Sequence, residues 1–123
     1  MKNLIVDATR DKIFLTHIVN ENIYTGSHEN SKINFEKLMV LIDNFLRSNK
    51  ISLNDITAIY VNRGPGSFAG IRNSLATIKA LFLTKKIDYY CFSFDDFDKT
   101  GRIEYEEVPN LCKKFKIKNV RKY

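Results

Sequence analysis

Apolar residues change their spacing along the chain, and the changes mark the elements. Leu4, Ile5 and Val6 form a short unbroken apolar run of the kind a buried strand carries, and residues 13–19 form a second run after the polar turn Thr9, Arg10, Asp11. Ile23 and Tyr24 follow Asn20, Glu21 and Asn22, a cluster that favours a tight reversal, so three sequential strands are expected in a meander. From Asn34 the period lengthens: Phe35, Leu38, Met39, Ile42, Phe45 and Leu46 recur at three and four residues, one stripe of a helix. Asn34 is the expected N-cap, with Glu36 in the first turn. The helix is expected to end near Ser48, with Asn49 taking the left-handed conformation. Residues 56–61 read as a β-branched strand, 71–84 as a second helix, and 87–92 as the last clear strand.

The order βββαβαβ, a meander followed by two strand-helix alternations that add parallel strands, describes one half-domain of the actin-like (ASKHA), ribonuclease-H-like superfamily. The expected fold is therefore α/β. Residues 1–94 form that half-domain, and 95–123 form an acidic turn and basic tail packed on it or extending from it. A fold of this kind fixes no activity by itself.

Composition narrows the classes. The chain has 123 residues, enough for one domain with a real core. No run approaches the ~20 apolar residues of a membrane span, and the run at Leu4 to Val6 is too short for a secretory signal; a cytoplasmic protein is expected. Cys91 and Cys112 form no CxxC, and the only histidines are His17 and His28, so neither a disulfide framework nor a zinc site is expected. The formal charge of +6 comes from 20 Lys and Arg against 14 Asp and Glu. All of that excess lies in the last eleven residues, KKFKIKNVRKY, where Lys113, Lys114, Lys116, Lys118, Arg121 and Lys122 face no acid. Such a tail suits a phosphate backbone, yet its alternation with Phe115, Ile117 and Val120 equally suits an edge strand.

Asn62 to Arg72 reads NRGPGSFAGIR, leaving a strand and entering a helix. Gly64, Gly66 and Gly70 permit close backbone approach, and amides near a helix N-terminus suit an anion. The string lacks the GK[ST] ending that places a lysine on β and γ phosphates, so a plain tight connection is the other reading. At Arg63, Gly64, Pro65, Gly66, Ser67, Phe68, Gly70 and Arg72 the chain resembles the TsaB (YeaZ) family, whose signature is a GPGSFTGIR-like loop after a strand. The resemblance extends over residues 1 to about 94, through LIVDATRDKIFLTHI and CFSF.

The resemblance implies an actin-like fold without catalysis of its own. It implies pairing with a TsaD-like catalytic subunit, assisted by a TsaE-like ATPase, to place threonylcarbamoyl on a tRNA adenosine. ATP and metal would belong to those partners, and tRNA would be reached indirectly. Family members are usually near twice this length, so the facing domain that closes a nucleotide cleft is not expected here. Ala69 stands where the family usually has Thr, Asn34 where a histidine is common, and Asp7, Ala8 and Thr9 where Asp-Thr-Ser is frequent. Ala8, Thr9 and Arg10 offer no glycine for close phosphate approach, so intrinsic ATPase activity is not expected. Asp7 reads as a strand-end cap or as a magnesium ligand.

A pairing protein should carry more apolar surface than one core needs. On the first helix Leu38, Leu41, Ile42 and Phe45 are the candidate interface residues. On the second they are Leu75, Ala76, Lys79, Ala80 and Leu83, with the small residues admitting close approach of another helix. The family implies a four-helix arrangement, for which ~800 Å² per partner is ordinary; scattered surface apolar residues are the plainer reading.

The segment DFDKTGRIEYEE separately matches calcium-loop spacing. Asp96, Asp98, Gly101, Ile103, Glu104 and Glu107 fall at positions one, three, six, eight, nine and twelve. The alternative is an acidic hairpin or turn leading into a short helix begun near Pro109. Three functions stand in order: a non-catalytic pairing subunit, a homodimeric module with a nucleic-acid-binding tail, and a small phosphotransferase using Asp7 and the glycine loop.

Overall fold

The computed structural model describes residues 2–97 and 102–120. The strands are β1 (Lys2–Asp7), β2 (Lys12–Val19), β3 (Asn22–Glu29), β4 (Ala58–Asn62) and β5 (Asp88–Phe92). The helices are α1 (Lys32–Glu36), α2 (Leu38–Ser48), α3 (Phe68–Lys85) and α4 (Val108–Lys114), with single 3₁₀ turns at Leu53–Asp55, Phe94–Asp96 and Tyr105–Glu107. The five strands form one sheet in the order β3-β2-β1-β4-β5. The meander is antiparallel, while β4 runs parallel to β1 and β5 parallel to β4. This is the expected α/β topology, and it brings the C-terminal ends of β1, β4 and β5 to one edge.

Four local expectations are corrected. The stripe from residue 34 is two helices, because Lys37 leaves helical geometry at φ −115°, ψ 25°. Ser31, in extended backbone, is the N-cap, its Oγ accepting the Asn34 amide at 3.3 Å. Asn34 is already helical and donates its side-chain amide back to the Glu29 carbonyl at 2.7 Å. At the other end Asn49 stays near φ −100° and Lys50 takes the positive φ of 62°. The third strand also runs to Glu29, because full pairing with β2 outweighs the weak strand preference of Gly26 and its polar neighbour Ser27.

Alternate strand residues point to opposite faces, and each face has its own layer. Leu4, Val6, Ile13, Leu15, Ile59 and Val61 pack against Leu38, Ile42 and Leu46 of α2 and Ile78 and Leu81 of α3. On the other face Ile5, Ala58, Tyr60 and Phe92 meet Phe97, Val108 and Cys112, with Phe94, Tyr105, Phe115 and Ile117 around them. The second layer therefore comes from the C-terminal segment. The described residues of its basic part form no edge strand: α4 is followed by a turn that packs Phe115 and Ile117 under the sheet. The described residues of the acidic part take the turn form of the expected hairpin or turn: two capped 3₁₀ turns, with the Ser93 amide donating to Asp96 and the Glu104 amide to Glu107, the second leading into α4 near Pro109. Among the described residues, no helix is long and apolar enough to cross a membrane. Both thiols are free; burial, aided by Asp96, pushes Cys112 up to about 12.

Candidate functional site

Asp7 ends β1 and is 0% exposed. A buried carboxylate is costly unless hydrogen-bonded, and this one accepts four bonds. Its Oδ1 takes the Thr9 amide at 2.9 Å and the Thr9 hydroxyl at 2.6 Å. Its Oδ2 takes the Asn62 side-chain amide at 3.2 Å and the Tyr105 hydroxyl at 2.6 Å. Asn62 in turn accepts the Gly64 amide at 2.9 Å, which ties the carboxylate to the glycine loop. Tyr105 accepts from Arg10 Nη2 at 3.0 Å. Burial first, and then the bond to Asp7, hold the Tyr105 phenol well above its ordinary pKa. The arrangement is that of a strand-end cap. With both oxygens engaged and none exposed, Asp7 does not fit a magnesium ligand.

The glycine loop spends its permissiveness on the chain itself. A Cβ on Gly70 would stand 2.0 Å from the Ala8 carbonyl oxygen, and one on Gly66 (φ +155°) 2.2 Å from that of Thr9. The Ser67 amide donates to the Thr9 carbonyl at 2.7 Å, while Ser67 Oγ accepts the Gly70 amide at 3.2 Å and caps α3. The loop, whose Gly64–Pro65 bond is cis, is thus clamped on the β1–β2 turn; the backbone approach that could have served an anion serves that turn. Asn30 reinforces the turn by donating to the Ala8 carbonyl at 3.1 Å and to that of Arg10. Of the other signature residues, Arg63 pairs with Asp96 at 2.5 Å, Pro65 and Arg72 are exposed, and Phe68 is 78% exposed.

The interface candidates divide. Leu38, Leu41 and Ile42 are buried in the helix-side core and cannot present their side chains to a partner. Phe45 and Leu75 are half-buried against that core. Ala76, Lys79 and Ala80 are exposed on α3, and Leu83 is 57% exposed. Val40, which falls outside the apolar stripe, is exposed, and so is Ile33, which was not among the candidates; placing the cap at Asn34 hid Ile33, which the true cap at Ser31 sets in the first helical turn.

Lys113, Lys114, Lys116 and Lys118 are exposed, and Arg121 and Lys122 lie outside the described residues. Of the calcium-loop residues, Asp98 and Gly101 also lie outside them. Asp96 and Glu107 close their 3₁₀ turns, and among the described residues no three His, Cys, Asp or Glu side chains come together to hold a metal. Tyr105 is the site residue the sequence reading missed. Nothing local signals it, since its partner Asp7 lies 98 positions away.

A family model described as "TsaD: tRNA N6-adenosine threonylcarbamoyltransferase" matches residues 28–93. Two curated relatives are each named tRNA threonylcarbamoyladenosine biosynthesis protein TsaB. That of Buchnera aphidicola subsp. Schizaphis graminum is 30% identical over 90 residues, covering 73% of this chain and 43% of the relative. That of Buchnera aphidicola subsp. Baizongia pistaciae is 37% identical over 65 residues, covering 46% and 29%. The chain therefore spans less than half the length of these curated relatives. The fold is similar to that of YeaZ from Pseudomonas aeruginosa (TM-score 0.68, 17% identity, 75% of this chain and 43% of that one). It is also similar to that of RuvC from Thermus thermophilus (TM-score 0.57, 12% identity, 94% of this chain and 80% of that one). With the glycine loop inside the matched segment, the sequence and fold agree: the chain belongs to the TsaB (YeaZ) family of TsaD-like proteins.

Proposed function

We infer that the chain is a non-catalytic pairing subunit that supports a TsaD-like partner in N6-threonylcarbamoyladenosine modification of tRNA. The observation that carries this reading is the outer face of α3. Ala76, Ala80 and Leu83 are exposed along it and Phe68 stands at its start, an apolar strip with small residues at its centre. Small side chains let a partner helix approach closely, and Arg72 and Lys79 lie on the same face, between Phe68 and Leu83, where they can pair with acidic groups of the partner. The engaged, unexposed Asp7 supports a subunit without phosphotransfer of its own, leaving ATP and metal to the TsaD-like and TsaE-like partners. A homodimer through the same face is the competing state. The exposed lysines at 113, 114, 116 and 118 would meet tRNA phosphates in the assembled complex.

Co-expression with the TsaD-like protein of the same organism is expected to give a stable complex. Leu83→Arg should abolish that complex while changing stability by no more than ~0.5 kcal/mol, as exposed substitutions usually do. Deleting the gene should remove the modified adenosine from tRNA, read by mass spectrometry of nucleosides. Failure to co-purify, together with persistence of the modified adenosine, overturns the reading.

A further inference from the structure

A cleft of about 540 Å³ opens beside the engaged Asp7, lined by Arg10, Phe94, Arg102, Ile103, Glu104 and Tyr105. It lies at the C-terminal edge of the parallel strands, where open α/β sheets bind their ligands. Its volume falls within the ~300–1,000 Å³ of small-molecule sites. Arg10 is the central group. Its guanidinium is held by the Tyr105 hydroxyl at 3.0 Å and lies 5.5 Å over the Phe14 ring.

Among the described residues only one edge of that five-donor fork is used and no carboxylate meets it directly. Asp7 is the nearest buried anion along the network, but both its oxygens are already engaged. The result is an oriented cation with donors to spare. Arg102 adds a second guanidinium. Its pairing with Glu104 at 3.1 Å is a solvent-screened surface contact, which a phosphate can displace. Phe94 and Tyr105, with ring centroids 6.1 Å apart, form an aromatic wall that continues to Phe14.

We propose that this cleft binds one nucleotide unit of a single-stranded RNA, Arg10 and Arg102 taking the phosphate and the Phe94 and Tyr105 rings stacking the base. Guanidinium forks match phosphate oxygens, and aromatic side chains stack exposed bases of single strands. The site binds without cutting, because its one buried carboxylate is occupied by hydrogen bonds. It is separate from the α3 strip and from the lysine tail, and it does not depend on the pairing role.

The test is fluorescence anisotropy of the full chain with a labelled single-stranded RNA of about ten nucleotides, titrated at several salt concentrations, with AMP as the free-nucleotide comparison. Arg10→Gln with Arg102→Gln should weaken RNA binding by about tenfold. It should also reduce the slope of log affinity on log salt by about 0.7, the value for one phosphate on a single strand. Phe94→Leu should weaken binding about fivefold or more with the slope unchanged, since it removes stacking and no charge. Arg102→Gln alone alters one exposed side chain, so it keeps the test readable if the double variant folds poorly.

RNA binding that these variants leave intact, or that only glutamines at Lys113, Lys114, Lys116 and Lys118 reduce, overturns the proposal. So does binding of AMP without binding of RNA. Failure of the co-purification experiment would remove the pairing role and leave these titrations standing.

Discussion

The two faces of the sheet are built from different materials. The helix side is an aliphatic layer in which Leu4, Val6, Ile59, Ile42, Leu46, Ile78 and Leu81 interlock. The other side is aromatic: Tyr60 stacks on Tyr90 at 4.8 Å, and Phe92 sits between Phe94 and Phe97. The aliphatic layer closes with helices adjacent in sequence to the strands they cover. The aromatic layer closes with a segment that has little regular structure and reaches back across the whole chain to Asp7. Short helices and single turns bury few residues each, and large rings compensate, since an aromatic side chain buries ~150–250 Å². Where this aromatic layer meets the strand ends it acquires a polar rim, and the engaged carboxylate and the open arginine cleft lie there.

Removing one large side chain from each layer breaks the comparison most directly. Phe92→Ala should cost about 3–5 kcal/mol and Ile42→Ala about 2–5 kcal/mol, measured by chemical denaturation. If the C-terminal segment were a loose appendage, the first would cost far less than the second. Gly70→Ala tests the seam between glycine loop and hairpin. Its Cβ would meet the Ala8 carbonyl oxygen, a backbone atom with no flexible end to move, so a loss of about 3 kcal/mol is expected. Tyr105→Phe keeps the ring in the aromatic layer and removes one of four bonds to the Asp7 carboxylate; about 2 kcal/mol should be lost.

The smallest expected effect is a pH dependence confined to the helix side. His17 is wholly buried, with Nδ1 donating to the Asn3 carbonyl at 3.1 Å and Nε2 without a partner among the described residues. Burial lowers its pKa, with Lys2 adding to the effect and the Asn3 carbonyl opposing it. The folded protein therefore keeps His17 neutral where the unfolded chain, with a pKa of about 6.5, takes up a proton. Stability from this group is complete above about pH 6.5 and falls as the pH drops below it. Thermal unfolding between about pH 7.5 and about pH 5 should show the decline, and His17→Phe should flatten it.

Much of the molecule is written in local pattern. Alternation and β-branching set the strands, the three-and-four spacing set the helical stripe, and the glycine string marked both the strand-to-helix connection and the family. These signals are legible because each reports on neighbours within one element. The errors have the opposite character. Ser31 outcompetes Asn34 as a cap because β3 delivers it in extended backbone. Leu38, Leu41 and Ile42 go into the core because the sheet lies beneath α2, and a helical stripe does not say what covers it.

The sequence by itself determined the element order, the sheet topology and the position of the loop. Only tertiary structure decided what the loop's glycines are for, because the Ala8 and Thr9 carbonyls that need their space lie some 60 positions earlier in the chain. The same holds for the pairing of Tyr105 with Asp7 and for the arginine cleft beside it. Their partners meet only when the C-terminal segment folds under the sheet, a contact set by packing area and hydrogen-bond satisfaction rather than by any local periodicity.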